Sequence, residues 1–313
     1  MKIIKSQDEI IFNSNSVVTI GSFDGVHLGH RAILDFVTER TRSLSGRSVV
    51  VTFNPHPRDV VGRGPVQRLC TLEERMQHLE QAGIDETLII NFTYEFSQQS
   101  ARTFYEQWLV KKIGVREVII GHDHMFGKNR EGSIETLKQI GQELQFGVVM
   151  IPEVCVSDKV VSSSLIRECV SQGRVEEAAK YLGRPYSIQA TVVQGDGRGK
   201  TLGFPTANLL FDHTSKMTPA SGVYFVQVHH AQECYSGMMN IGVRPTFGTN
   251  GQQFIEVHLL DFKGNLYGET LSISFIKRLR SEKKFNSVDE LVAQLHQDRH
   301  EAEKLVSQLT VIS

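Results

Sequence analysis

Two stretches of this 313-residue chain combine residue types and spacings suited to phosphate chemistry. The first is Gly21-Ser22-Phe23-Asp24-Gly25-Val26-His27-Leu28-Gly29-His30. Its glycines let the backbone pass close to a bound group. A helix beginning at its end would aim unpaired N–H groups and a positive dipole end at an anion. His27 and His30 add side-chain donors on the same side of the turn. The stretch is therefore suited to holding a nucleoside triphosphate and steadying the charge on its phosphates.

The second runs from Gly195 through Asp196, Gly197, Arg198, Gly199 and Lys200 to Gly203-Phe204-Pro205-Thr206-Ala207-Asn208. Its glycines make a loop whose N–H groups can turn toward phosphate, and Arg198 and Lys200 supply charge. Thr206 and Asn208 share a face if the backbone is extended. A hydroxyl and an amide carbonyl are both hard oxygen ligands suited to Mg²⁺ carried with a nucleotide. The plainer alternative is a hairpin turn with cap-forming polar residues.

Phosphoryl transfer to an alcohol also needs a base. Glu256 is the candidate, set in the otherwise apolar run Phe254-Ile255-Glu256-Val257-His258-Leu259-Leu260. Alternation puts Glu256, His258 and Leu260 on one side and Ile255, Val257 and Leu259 on the other. Without the neighbouring loop, a solvated outer face would be the default for such an acid. A further segment, Ser162-Ser163-Ser164-Leu165-Ile166-Arg167, reads as a helix start with Ser162 or Ser163 as N-cap. Arg167 and that second helix N-terminus could also face phosphate.

These residues need elements to position them. From Val17 to Pro152, apolar runs at 17–20, 49–53, 87–90, 118–120 and 148–151 alternate with helical patterns near 30–42, 71–81, 100–113 and 133–144. Strand and helix in alternation argue a doubly wound parallel sheet. Ligands in such folds sit beyond the carboxyl ends of the strands. The first motif, Asn54-Pro55-His56-Pro57 and Gly121-His122-Asp123-His124 all follow strands and should meet on one rim. Residues 175–182 read as a short helix ended by Gly183-Arg184-Pro185, which places a domain boundary between residues 1–183 and 184–313. Beyond it, short β-type runs at 187–193, 223–228, 237–241, 254–260 and 271–275, separated by turn residues, indicate a small antiparallel barrel. A helix from Ser287 to about Leu309 closes the chain, with Glu290 at the capping-box position.

The net charge is −1, with 21 basic and 23 acidic residues up to Leu182 and 13 and 12 after it. Neither half has the basic excess of a nucleic-acid binder. Cys70, Cys155, Cys169 and Cys234 form no Cys-x-x-Cys pair and read as free thiols of a reducing compartment. The start MKIIKSQDEI lacks the apolar core of a signal peptide, and no apolar run is long enough to span a membrane. A cytoplasmic protein without nucleic-acid or membrane partners is expected, of open oligomeric state. The spacing His27-x-x-His30 with His122-x-His124 lacks the cysteines or carboxylates of a zinc site. Gly195-x-Gly-x-Gly is followed by no long helix and is not a dinucleotide fingerprint.

Taken together, the motifs resemble those of the bacterial bifunctional riboflavin kinase/FMN adenylyltransferases, the prokaryotic FAD synthetases. Gly21 to His30 is similar to the adenylyltransferase signature with its His-x-Gly-His. Ser163-Ser164-Leu165-Ile166-Arg167 is similar to that domain's second phosphate motif. Gly203 to Asn208, Asn240-Ile241-Gly242-Val243-Arg244-Pro245-Thr246-Phe247 and Leu266-Tyr267-Gly268 resemble the kinase. The resemblance implies an N-terminal Rossmann-like nucleotidylyltransferase domain and a C-terminal riboflavin kinase barrel. It implies riboflavin and ATP giving FMN, then FMN and ATP giving FAD and pyrophosphate, with Mg²⁺ as cofactor. Carried over by motif, Glu256 is the kinase base, and Thr206 and Asn208 hold Mg²⁺–ATP. Gly195, Gly197, Arg198, Gly199, Lys200 and Pro205 line that nucleotide. His27 and His30 act on the adenylyltransferase phosphates, and Gly21, Phe23, Asp24, Gly25, Gly29, Asp123, Ser163, Ser164 and Arg167 surround them. Asn54, His56 and Arg244 would meet flavin. Ser22, Asn54, His124, Met125 and Ser164 depart from the residues usual at their positions.

Overall fold

A computed structural model describes residues 1–62, 64, 66–122, 127, 132–195, 198–211, 215–243 and 253–310. The chain divides into two compact units, Met1–Ser163 and Ser164–Ser313.

The first unit is built on six parallel strands: β1 (Lys2–Ile4), β2 (Ser16–Ile20), β3 (Arg47–Asn54), β4 (Glu86–Asn91), β5 (Val115–Gly121) and β6 (Gly147–Ile151). They lie in the order β1-β4-β3-β2-β5-β6. The helices are α1 (Leu28–Ser43), α2 (Pro57–Val60), α3 (Leu72–Gln81), α4 (Tyr94–Ser97), α5 (Ala101–Phe104), which runs on into a π-helix over Tyr105–Ile113, and α6 (Ile134–Leu144). Successive strand residues feed opposite faces. Val18, Ile20, Val49 and Val51 pack with Phe104, Trp108 and Leu137, while Val17, Val50 and Ile119 pack with Leu34, Val37 and Leu79. Both faces are apolar because helices cover both. The doubly wound parallel sheet read from the alternation is the fold observed. The three-residue β1 was too short for its pattern to mark it.

The strand order reverses at β2, whose neighbours are β3 on one side and β5 on the other. That is the switch point beyond which α/β sheets bind ligands. The segments after β2, β3 and β5 therefore share one rim. A short hairpin, β7 (Cys155–Val156) and β8 (Lys159–Val160), follows β6.

The second unit carries α7 (Ser163–Ser171), whose first residue closes the first unit, and α8 (Val175–Leu182). Then come β9 (Tyr186–Val193), the one-turn α9 (Arg198–Thr201), β10 (Ala207–Phe211), β11 (Gly222–His230), β12 (Glu233–Val243), β13 (Gln253–Leu259) and β14 (Thr270–Arg280). These six strands close into an antiparallel barrel, β10-β13-β12-β11-β14-β9. The last helix, α10 (Val288–Thr310), packs Ala302 with Phe204, Phe225, Met238 and Leu260. A helix cannot enter so small a closed barrel, so these residues mark its outer wall. Ile255, Val257, Met239 and Ile273 fill the inside. At the start of α10, Ser287 Oγ accepts from the Glu290 N–H at 3.2 Å as expected of an N-cap, but the Glu290 carboxylate accepts from the Asn286 N–H, 2.9 Å away, rather than from Ser287.

α10 is fastened by Asp298, 4% exposed, which takes Arg280 Nε and Nη2 of β14 at 2.8–3.0 Å and Gln294 Nε2 at 3.0 Å. Removing one partner of a buried pair strands the other's charge. Asp298→Ala is expected to destabilise the barrel unit by about 3–5 kcal/mol, read as a lower denaturant midpoint.

Candidate active sites

In the first unit, the chain leaves β2 through Phe23 (φ +47°), Gly25 (φ +84°) and Val26 (φ +37°) before entering α1. Positive φ at Phe23 and Val26 is strain that neighbours must hold. Phe23 is buried among Val26, Leu34 and Val37. Asp24, 1% exposed, accepts the Leu69 and Cys70 N–H groups on Oδ1 at 2.9 and 3.2 Å. The Gly25 N–H donates to Cys70 Sγ at 3.0 Å. Burial, aided by the Asp24 charge, pushes the Cys70 thiol up to about 11, so it sits there as a neutral thiol. Phe23 and Asp24 thus anchor the loop that would meet the nucleotide. Ser163 Oγ, at the end of the first unit, donates to the Asp24 carbonyl at 3.0 Å.

His27 is the N-cap of α1, its Nδ1 accepting from the His30 N–H at 3.2 Å. A neutral ring accepting on Nδ1 carries its proton on Nε2, which makes Nε2 a donor. The two imidazoles stack at 3.7 Å, 15° from parallel. Gly29 permits this, since a Cβ there would stand 3.2 Å from the His27 ring. Gly21 has a similar relation to the Phe23 ring, also 3.2 Å. Helix geometry leaves the N–H groups of Leu28 and Gly29 without intrahelical partners at this N-terminus. Stacked rings and open N–H groups make one electropositive corner at the switch point.

On the neighbouring strand end, His56 is buried and caps α2, accepting the Arg58 N–H on Nδ1 at 3.2 Å. Asn54, half-buried, ends β3. Burial works to raise Asp59, but the Val66 N–H, Arg68 and His56 outweigh it and hold the carboxyl below its ordinary value. Beneath this rim Arg75, 1% exposed, donates from Nη1 to Thr52 Oγ1 at 3.0 Å and to the Phe53 carbonyl at 3.2 Å. Asp123 lies outside the described residues, as do Gly197 and Arg244 and the side chain of Arg198. Ser164 and Arg167 lie in the first turns of α7, in the second unit, and Ser162 precedes that helix.

In the barrel, Glu256 sits on the outer wall of β13, half-buried beneath the loop that precedes β10. Thr206 Oγ1 donates to Glu256 Oε2 at 3.3 Å. In register, Asn208 of β10 and Asn240 of β12 flank Glu256 on either side. Residues directly opposite on adjacent strands share a face. The row Asn208–Glu256–Asn240 therefore presents amide, carboxylate and amide along one wall, with Thr206 over it. Neither β10 nor Asn240 as a member of this row was identified from the sequence. The outer-wall position expected of Glu256 by default is correct, yet the loop covers it.

The glycines of the loop serve close approach. A Cβ on Gly195 would lie 1.8 Å from Asn208 Nδ2, and one on Gly199 2.3 Å from the Phe204 carbonyl and 3.0 Å from Thr206 Oγ1. Lys200 is exposed in α9, and Pro205 follows the buried Phe204. Gly195→Ala must displace the Asn208 amide, a flexible tip, so the fold should survive. The melting temperature is expected to stay within a few degrees of the wild-type value.

Thr206 and Asn208 offer hydroxyl and amide oxygens of the hard type that Mg²⁺ prefers, few enough to leave positions for phosphate oxygens and water, with the Glu256 carboxylate beside them. Among the described residues no cluster of three or more His, Cys, Asp or Glu could hold a metal. All four cysteines are free. Among the described residues no helix is long and apolar enough to cross a membrane.

Residues 10–165 match the FAD synthetase family and residues 182–306 the riboflavin kinase family. The bifunctional riboflavin kinase/FMN adenylyltransferase of Bacillus subtilis (strain 168) is 36% identical over 300 residues, 95% of this chain and 94% of the relative. The protein of the same description from Escherichia coli (strain K12) is 36% identical over 285 residues, 90% of each chain. A crystal structure of a macrolide-efflux protein from Streptococcus pneumoniae superposes with a TM-score of 0.87 at 32% identity, covering 96% of this chain and 98% of that one.

Proposed function

The chain belongs to the family of bifunctional riboflavin kinase/FMN adenylyltransferases, and from that premise we propose that its two units make FAD in two steps. The barrel phosphorylates riboflavin with ATP to FMN. The parallel-sheet unit adenylylates FMN with ATP to FAD and pyrophosphate. The observation that carries the reading is the row Asn208–Glu256–Asn240 beneath Thr206. It puts a carboxylate beside hydroxyl and amide oxygens on a wall that a glycine-rich loop covers.

In the kinase step Glu256 takes the proton of the riboflavin 5′-hydroxyl as that oxygen attacks the γ-phosphorus of ATP and ADP leaves. Thr206 and Asn208 would hold Mg²⁺ with the nucleotide. When bound, the ion neutralises charge on the phosphate oxygens. The loop's glycines bring backbone close to the triphosphate, and Lys200 adds charge at its edge.

In the adenylyltransferase step an FMN phosphate oxygen, already anionic, attacks the α-phosphorus of ATP, and the bond to pyrophosphate breaks. No base is needed, which fits a site of donors. His27 Nε2, His30 and the N–H groups of Leu28 and Gly29 steady the departing charge. Asp123, Ser163, Ser164 and Arg167 are assigned to this nucleotide, and Asn54, His56 and Arg244 to flavin. We place the boundary between the activities at Gly183–Arg184, close to the start of the kinase match at residue 182. Four free thiols and a demand for ATP favour the cytoplasm.

The test is to incubate the purified protein with riboflavin, ATP and Mg²⁺ and to separate the flavins by chromatography. FAD is the expected product. FMN alone would mean an inactive adenylyltransferase unit, and unchanged riboflavin would mean a binding protein without kinase activity.

A further inference from the structure

His258 stands two residues beyond Glu256 on the same outer wall of β13 and is 8% exposed. Its Nδ1 lies 2.8 Å from the carbonyl oxygen of Pro205. A carbonyl only accepts, so the ring donates from Nδ1. Phe204 packs edge-on against this ring at 5.4 Å and against His296 of α10 at 5.1 Å. Pro205 has no N–H and its side chain is exposed, so the carbonyl is the one backbone polar group by which it can be held. The residue before Phe204 is Gly203, at φ +81° with nothing within 4 Å of a built Cβ. On this side the backbone is held by turn hydrogen bonds alone, Gly203 N–H to the Lys200 carbonyl at 3.3 Å and Phe204 N–H to the Gly199 carbonyl at 2.9 Å. The residue after Pro205 is Thr206, which bonds Glu256. One strand therefore grips the loop twice, at the Pro205 backbone through His258 and at the Thr206 side chain through Glu256.

We propose that His258 is a positioning residue of the kinase site, holding the Pro205 carbonyl so that Thr206 and Asn208 stand at fixed distances from Glu256 and from the nucleotide. This rests on the kinase reading above. His258 touches neither substrate nor the transferred phosphoryl group. It fixes the loop that does.

Two variants separate the hydrogen bond from ring packing. His258→Phe keeps an aromatic ring against Phe204 and removes the donor. His258→Asn gives up the ring but returns an N–H near the place of Nδ1. In His258→Phe, KM for ATP is expected to rise about ten- to a hundredfold, lowering kinase kcat/KM for ATP by the same factor, with KM for riboflavin unchanged. Loss of folded protein lowers kcat and leaves both KM values unaltered, so it could not produce that split. His258→Asn is expected to recover most of the loss. Hydrogen–deuterium exchange supplies a readout besides turnover: the amides of Thr206 and Ala207 should exchange faster in His258→Phe than in the wild type, and more slowly again in His258→Asn. FAD formation from supplied FMN should be unaltered in both. Unchanged kcat/KM for ATP and unchanged exchange in His258→Phe would overturn the proposal. So would equal impairment of the two variants. A wild-type protein that makes no FMN would instead overturn the kinase reading, leaving the exchange data to decide whether His258 orders the loop.

Discussion

Glu256→Gln is expected to lower FMN formation from riboflavin and ATP by about a hundredfold to ten-thousandfold, the range a positioned base supplies. The substitution is nearly isosteric. The side-chain carbonyl of glutamine can still accept from Thr206 Oγ1, which is 3.3 Å from Glu256 Oε2 in the native protein. The fold of the loop should therefore persist, and what disappears is the capacity to take a proton. FAD formation from supplied FMN should remain at the wild-type rate, because Glu256 has no part in the proposed adenylyltransferase site and the nucleophile there is already an anion. A folded Glu256→Gln protein that lost both activities would contradict separate sites. One that kept FMN formation would remove Glu256 from the mechanism.

His30→Ala is expected to give the opposite pattern. FAD formation should fall by about a hundredfold to a thousandfold, as when one donor to developing charge is removed, with FMN formation intact. The helix cap survives this change, since His27 Nδ1 accepts from the backbone N–H of residue 30 and alanine keeps that group. Loss of the stacked ring at 3.7 Å removes a side-chain donor from the phosphate corner and frees the His27 ring to turn. The measurement is the initial rate of pyrophosphate release with FMN and ATP. An unaltered rate would exclude His30 from the chemistry.

Much of this architecture could be read from patterns in the chain, and what escaped did so for identifiable reasons. Apolar runs alternating with helical periods reveal a parallel sheet because both its faces must be buried, and Val17 and Val18 do serve opposite cores. The rim formed by β3, β2 and β5 followed from where the motifs end their strands. β10 was missed because Gly-Phe-Pro-Thr-Ala-Asn carries turn residues, and its strand character comes from pairing with β9 and β13. Asn240 joins the row through a register across 16 residues of sequence, which periodicity along one strand cannot express. Asp24 has the same origin: the N–H groups it accepts lie 45 and 46 residues away. Its type suggested a ligand contact, and its partners give it a bracing role as well. For Gly195 the sequence suggested phosphate, and the fold adds a second demand, room for the Asn208 amide.

The pairing of β13 with β10 and β12 carries a consequence of its own. Strand residues point to alternate walls, so the frame in which β13 is paired decides whether Glu256 lies beneath Thr206 or turns into the packed interior beside Ile255 and Val257. Inserting a single residue between Gln253 and Glu256 while the pairing of 253–255 is kept would invert the carboxylate and bring an apolar side chain to the wall. Conversion of riboflavin would then fail with every functional group still present in the chain. A change of chain length here leaves Glu256 in place only if it falls outside the paired residues of β12 and β13, because parity, as much as residue identity, determines what this barrel can do.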